Sequence, residues 1–271
     1  MTLIAALAVL VFMAAVMAAG WAKVRHSRNG GWTDVFWTFG TGIAGVACAL
    51  LPVAGAPWPS PRQALVAGLV AVWALRLGAY IAWRVAHSAE DARYARLRES
   101  WGAAFDGRMF GFLQIQALAT AMLCLSIMAA ARRPFPAELR LADLLGLLVL
   151  AAAIGGETLA DRQMHRFKAD PANHGKVADT GLWGWSRHPN YFFEWLHWLA
   201  YPIIAIDLSG AWPLGWLALI GPLFMYVLLT RMTGVPPLEA AMLRSKGQAY
   251  ADYQARTSAF FPRPPRRRSA A

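Results

Sequence analysis

Residues 179–194 read Asp179-Thr-Gly-Leu-Trp-Gly-Trp-Ser-Arg187-His188-Pro189-Asn190-Tyr191-Phe-Phe-Glu194. They pass from a charged loop into an apolar run. Pro189 suits a first helical turn, where its missing N–H costs nothing. The helix expected from Tyr191 onward carries Glu194, His197 and Tyr201 at i, i+3 and i+7, on one face. Asn190 and Glu194 are i, i+4 neighbours on nearly the same face. Ionisable groups at the mouth of a membrane span are expensive, and by default they mark a functional site.

The rest of the chain fits a membrane setting. It has 271 residues, of which 58% are apolar and only 15% charged, far less charge than a soluble domain carries. Mean hydropathy is positive, at +0.38. The expectation is an all-α integral membrane protein with one domain over residues 1–262. A basic Pro/Arg-rich tail over 263–271 is expected to be disordered and to touch anionic lipid. Cys48 and Cys124 fall inside apolar runs, form no metal-ligand spacing, and read as small hydrophobes.

An apolar run of about 20 residues spans the hydrocarbon core. Seven runs qualify: 3–22, 35–54, 64–83, 109–131, 141–159, 191–206 and 212–230. The fifth and sixth are weakened by length or by Glu157, Glu194 and His197. The first lacks a charged leader and is followed by Lys23, Arg25 and Arg28, so it reads as a retained span.

Seven spans put 21 of the 26 Lys and Arg residues on one side. Arg62, Arg132, Arg133 and Arg140 lie on the other, and Arg76 lies within the third span. This asymmetry predicts an external N-terminus and a cytoplasmic C-terminus. It also explains the net charge of +11 without nucleic acid, because the cations lie in loops between apolar runs. The long loops 87–108 and 161–189 share the basic side, so the working face is expected to be cytoplasmic.

Glu157 and Asp161 repeat the i, i+4 pattern at the end of the fifth span. With Asn190 and Glu194 they frame a polar cup. Arg166, Lys168, Lys176 and Arg187 are candidate phosphate partners around it, and Asn190 and Glu194 suit a ribose or a carboxamide. His188 is a candidate proton donor or phosphate ligand. No GxGxxG opens a strand–helix unit, and no HxxxH or CxxC suggests a metal. Arg76, in mid-span, needs an anionic partner, with Asp34, Glu157 or Glu194 available.

These residues resemble a known family. Glu157-Thr-Leu-Ala-Asp161-Arg-Gln163, Gly181-Leu-Trp183 and Ser186 through Glu194 are similar to the bacterial DUF1295 proteins. So are Glu90-Asp91-Ala-Arg93-Tyr94 before Trp101-Gly102, and the ending Tyr250-Ala-Asp-Tyr253-Gln-Ala-Arg256-Thr-Ser-Ala-Phe-Phe-Pro262. That family is similar to the C-terminal domain of steroid 5-alpha-reductases, membrane enzymes that use NADPH to reduce a carbon–carbon double bond in a sterol-like lipid. The resemblance implies a bacterial inner-membrane location. It also implies a cofactor role for Asp161, Asn190, Glu194, Tyr253 and Arg256, and Lys168 stands where those reductases favour Arg; Tyr191, inside the same motif, is a further cofactor-binding candidate.

The substrate half departs from that pattern. The reductases hold the substrate carbonyl with a Gln-Glu pair in the second span and a Tyr in the third. Here the second span reads Asp34-Val-Phe-Trp37, and Trp73 stands near the Tyr position. A conjugated carbonyl that takes hydride at its β carbon develops enolate charge, which needs a positioned donor. Asp34, Arg76 and Tyr80 are the candidates. The substrate is expected to be a lipid-soluble small molecule that enters from the bilayer, and nothing in the sequence sets an oligomeric state. The Arg-His-Pro-x-Tyr…Glu core is also similar to isoprenylcysteine carboxyl methyltransferases, which bind S-adenosylmethionine. A non-catalytic lipid-binding membrane domain is the third reading.

Overall fold

A computed structural model describes residues 2–55, 57–133 and 138–265. Twelve α-helices occur among them: α1 Thr2–Ser27, α2 Trp32–Ala49, α3 Pro61–His87, α4 Ala92–Trp101, α5 Phe105–Ala131, α6 Leu141–Ala169, α7 Leu182–Trp185, α8 Pro189–Trp198, α9 Ala200–Ala205, α10 Ile220–Val227, α11 Val235–Lys246 and α12 Gln248–Arg256. The described residues contain no strands; one isolated parallel bridge joins Ser186 and Ser258. Five helical stretches are long and apolar enough to cross a membrane: Leu3–Ser27, Pro61–His87, Arg93–Ala131, Leu141–Ala169 and Pro213–Lys246. The protein is therefore an all-helical membrane protein. Residues 266–271 of the expected basic tail lie outside the described residues.

Two of the seven expected spans are not among these five. The run 35–54 is helical only to Ala49, the end of α2, and Trp, Thr, Gly and Asp34 dilute the hydropathy of that helix. The run 191–206 is split between α8 and α9 at Leu199, whose N–H turns back to Leu196 O at 3.1 Å. Pro202 lies one turn beyond Trp198 and has no N–H for the Trp198 carbonyl, so the regular helix cannot continue through it. The face expected to run unbroken from Glu194 to Tyr201 is interrupted there.

The chain divides into two compact units. The first runs to Leu147 and includes Tyr201–Gly221; the second comprises Leu148–Ala200 and the chain from Pro222 onward. In the first unit, α2 and α3 approach closely at Gly42, where an added Cβ would lie 2.3 Å from Ala74 Cβ. Close helix approach of this kind drives association where lipid removes the hydrophobic incentive. Thr41 and Thr120 hydrogen bond at 3.2 Å between α2 and α5. Helix α3 opens with a capping box of Ser60 and Gln63. Gln63 also donates to Ala49 O and Leu51 O, at 3.1 and 2.7 Å, which satisfies carbonyls at the end of α2.

In the second unit, α6 and α8 meet at Gly156, where a Cβ would lie 2.2 Å from the Phe193 ring. This contact sets the turn carrying Glu157 beside the turn carrying Glu194. Trp183 Nε1 donates to Ala160 O at 3.0 Å and ties α7 to the Asp161 turn. Gly181 precedes α7 at φ +59°, a conformation that favours glycine. It lets Leu182 N–H reach Gln163 Oε1 at 2.9 Å.

Candidate functional site

The polar groups of the second unit form two layers. The first is a buried knot on the Ser186-Arg187-His188 turn. Pro189 starts α8, and the extended segment before it runs alongside the C-terminal strap after α12. Arg187 N–H donates to Ser258 O at 2.8 Å, and Arg263 N–H to Trp185 O at 2.9 Å. Ser186 Oγ donates to Phe260 O at 2.8 Å and accepts His188 N–H at 3.1 Å. Two motifs about 70 residues apart in sequence are thus one structure.

Arg187 is the hub, and it is held differently from the phosphate partner read in the sequence. Its Nε donates to Glu239 Oε1 at 2.6 Å, and Nη1 donates to Gln254 O at 3.1 Å and to Thr257 O. Its side chain is only 9% exposed. These donors are spent on protein acceptors, so the guanidinium locks the turn. Glu239 also faces His188 Nε2 at 3.1 Å and accepts from Gln254 Nε2 at 2.9 Å. Burial holds the His188 imidazole below its ordinary range, and the Glu239 hydrogen bond offsets only part of that effect. The ring stacks on Tyr191 with centroids 5.6 Å apart.

Tyr253 and Arg256, expected at the cofactor, also serve the knot. Tyr253 is buried, and its hydroxyl donates to Trp183 O. Burial, then neighbouring Tyr250, raises its pKa. Tyr250 is pushed up to about 12, first by burial and then by Glu239. Arg256 pairs with Asp179 across the mouth of the loop.

The second layer holds the acids and bases read as a cup. Glu157, Asp161 and Glu194 are buried, each at most 7% exposed. Trp198 Nε1 donates to Glu194 Oε1 at 3.2 Å. Asn190 and Tyr191 are half-buried at the start of α8, while Arg166, Lys168 and Lys176 are exposed. Among the described residues no three His, Cys, Asp or Glu side chains group as a metal site.

Asp34, Arg76 and Tyr80 lie in the first unit. Asp34 accepts Tyr94 Oη–H at 2.7 Å on one carboxylate oxygen and Arg93 Nη2–H at 2.9 Å on the other. Arg93 in turn pairs with Asp91, the N-cap of α4. Asp34 is thus an anchor between α2 and the α4 loop. The Arg76 guanidinium lies 5.6 Å from the Tyr80 ring centroid. Trp73 is buried edge-on to Trp37, with centroids 6.3 Å apart.

Sequence reasoning missed Glu239, Gln254 and Thr257. A signal for Glu239 was present: it is the one carboxylate between Asp207 and Asp252, two residues after the Pro236-Pro237 pair. Gln254 and Thr257 hold Arg187 through their backbone carbonyls, which no side-chain pattern announces.

Fold and site define an all-helical membrane protein with a C-terminal polar unit. Residues 20–257 match the family described as "Protein of unknown function (DUF1295)", and the chain belongs to that family. It is 29% identical over 236 residues to an uncharacterized protein of Schizosaccharomyces pombe (strain 972 / ATCC 24843). That match covers 75% of this chain and 64% of the relative, so the chain spans less than two thirds of the relative's length. No solved structure matches.

Proposed function

We propose that this chain is an NADPH-dependent membrane reductase that transfers hydride to a carbon–carbon double bond of a lipid-soluble, steroid- or isoprenoid-like substrate. The reading rests on the division of charge in the second unit. Glu157, Asp161 and Glu194 are buried acids on α6 and α8, whereas Arg166, Lys168 and Lys176 are exposed at the end of α6 and in the loop after it. Carboxyl oxygens accept hydrogen bonds, which suits ribose hydroxyls and a carboxamide. Exposed cations suit phosphates. A ligand hydroxylated at one end and phosphorylated at the other fits both sets.

When bound, the cofactor supplies the hydride. The chain's residues orient it: Asn190, Tyr191 and Glu194 from the rigid start of α8, and Glu157 and Asp161 from α6. The knot of Arg187, His188, Glu239 and Tyr253 holds that start in place. Arg76 and Tyr80 remain the proposed groups for the substrate end, whereas Asp34, also expected there, is held by Arg93 and Tyr94.

The proposed topology has seven spans, with α2 and the α8–α9 pair added to the five long helices. It places the N-terminus outside and the cup on the cytoplasmic side of a bacterial inner membrane. The distribution of 21 of 26 Lys and Arg residues on that side supports it.

The competing reading is a methyltransferase that uses S-adenosylmethionine. Buried acids favour that ligand's sulfonium, but it carries no phosphate for the exposed cations. Thermal unfolding of the detergent-solubilised protein separates the two. A ligand at 100 times its Kd contributes about 2.7 kcal/mol of stability. NADPH is expected to raise Tm and S-adenosylmethionine to leave it unchanged. The reverse order favours the methyltransferase, and no response to either favours a lipid-binding domain without catalysis.

A further inference from the structure

The four cations that the seven-span reading leaves on the sparsely charged side are Arg62, Arg132, Arg133 and Arg140. Three of them converge on one carboxylate in the first unit. Arg62 grips Asp143 with Nε and Nη2, both at 3.1 Å. Arg62 also donates to Arg133 O at 3.0 Å and to Glu138 O at 2.9 Å. Arg133 Nη2 lies 3.6 Å from Asp143 Oδ2, and Arg140 N–H donates to that same oxygen at 2.7 Å. Two of the guanidiniums then run along one segment: Arg133 Nη1 donates to Ile204 O at 3.0 Å, and Arg140 Nη1 faces Asp207 at 3.9 Å.

The charges do not balance. Arg62, Arg133 and Asp143 have side chains no more than 1% exposed, so two buried cations share one buried anion. Unbalanced buried charge is costly. The donors do not balance either: Arg133 Nε and Nη2 and Arg140 Nε are buried without a hydrogen-bond partner. Buried guanidinium donors without a hydrogen-bond acceptor are rare in native proteins, and the 3.6 Å approach of Arg133 Nη2 to Asp143 is an ion pair too long to be one. The neighbouring cation Arg132 also leaves Nη1 in that condition.

The position in the fold suggests the ligand. Arg62 is in the first turn of α3, Arg133 lies two residues past the end of α5, and Asp143 is in the first turn of α6. All three helices are of membrane-spanning length. Their shared end is therefore at the level of lipid headgroups. We infer that the Arg133–Arg140 edge of this cluster binds a phosphate oxyanion, which supplies the missing negative charge and accepts the orphaned donors. The inference is independent of the cofactor reading.

Two probes identify the source of the phosphate. The full chain is reconstituted in nanodiscs of phosphatidylcholine with or without phosphatidylglycerol, and it is separately titrated in detergent with inorganic phosphate at constant ionic strength. A headgroup site gives retention of phosphatidylglycerol over phosphatidylcholine in native mass spectrometry. A free-anion site gives a rise in Tm with phosphate and no lipid preference. In either case Arg140→Gln, at the partly exposed edge, is expected to weaken the effect about tenfold, the loss of one charge-assisted bond. Arg133→Met removes the surplus cation and is expected to abolish it. Should Arg133→Met fail to fold, Arg140→Gln alone decides. Indifference of the wild-type protein to both probes overturns the inference and leaves buried water as the partner of these donors. An anion effect that persists undiminished in Arg140→Gln overturns it equally.

Discussion

Arg187 Nε donates to Glu239 Oε1 at 2.6 Å and so joins the turn before α8 to α11, 52 residues away. The same oxygen faces His188 Nε2 at 3.1 Å. One carboxylate therefore holds two consecutive residues of the segment from which α8 begins. In the proposed reading, ligand contacts made by Asn190, Tyr191 and Glu194 depend on that carboxylate.

Replacing Glu239 by Gln keeps the acceptor oxygen but removes the charge. It leaves Arg187, 9% exposed, as an uncompensated cation. Breaking one side of a buried pair costs about 3 kcal/mol. The expected outcome is a lower Tm without ligand, reproduced by Arg187→Lys, because an ammonium cannot replace the forked geometry. An unchanged Tm in both variants means that the knot does not support the unit.

Stability should fall in mild acid. Burial depresses the His188 pKa from 6.5, and Glu239 restores only part of the loss. Between the depressed value and about 6.5 the unfolded chain binds more protons than the native state, so stability rises with pH through that window. The contribution is complete above the ordinary imidazole value and is lost as pH falls toward the depressed one. Denaturation of wild type and His188→Asn from pH 7 to pH 5 measures the slope. The variant is expected to show the shallower dependence, and parallel curves would remove His188 as its source.

Glu194 separates ligand binding from scaffold. Its Oε1 accepts Trp198 Nε1 at 3.2 Å, an acceptor that Gln retains. Glu194→Gln keeps the shape of the side chain and, in the ligand-binding reading, is expected to keep the ligand-free Tm near that of wild type. Loss of a charge-assisted hydrogen bond to the nucleotide costs about 1.5–3 kcal/mol, read as a rise of about tenfold or more in the NADPH Kd. Normal affinity with a large fall in Tm would make Glu194 part of the scaffold alone.

Much of this was legible in the residues, for physical reasons. Apolar runs of spanning length announced α1, α3, α5 and α6, because lipid leaves the backbone few alternatives to a helix. The i, i+4 pairing of Glu157 with Asp161 holds, since both lie in α6. The division at Leu199 was foreshadowed only by Pro202, which a hydropathy average hides. The role of Arg187 was not legible, because its acceptors lie 52 to 70 residues downstream and two of them are backbone carbonyls. An arginine written beside His188 and Pro189 reads as available to a ligand until the C-terminal strap folds over it. The orphaned donors of Arg133 and Arg140 were equally hidden: charge counting assigned them a side of the membrane but no shared carboxylate.

The central claim is that the acids of α6 and α8, with the cations beyond them, hold a dinucleotide. The most direct measurement is the nucleotide that copurifies with the intact protein, released by denaturation and identified by mass spectrometry. The account predicts NADPH or its oxidised form, depleted in Glu194→Gln. Recovery of S-adenosylmethionine or S-adenosylhomocysteine in its place would contradict it.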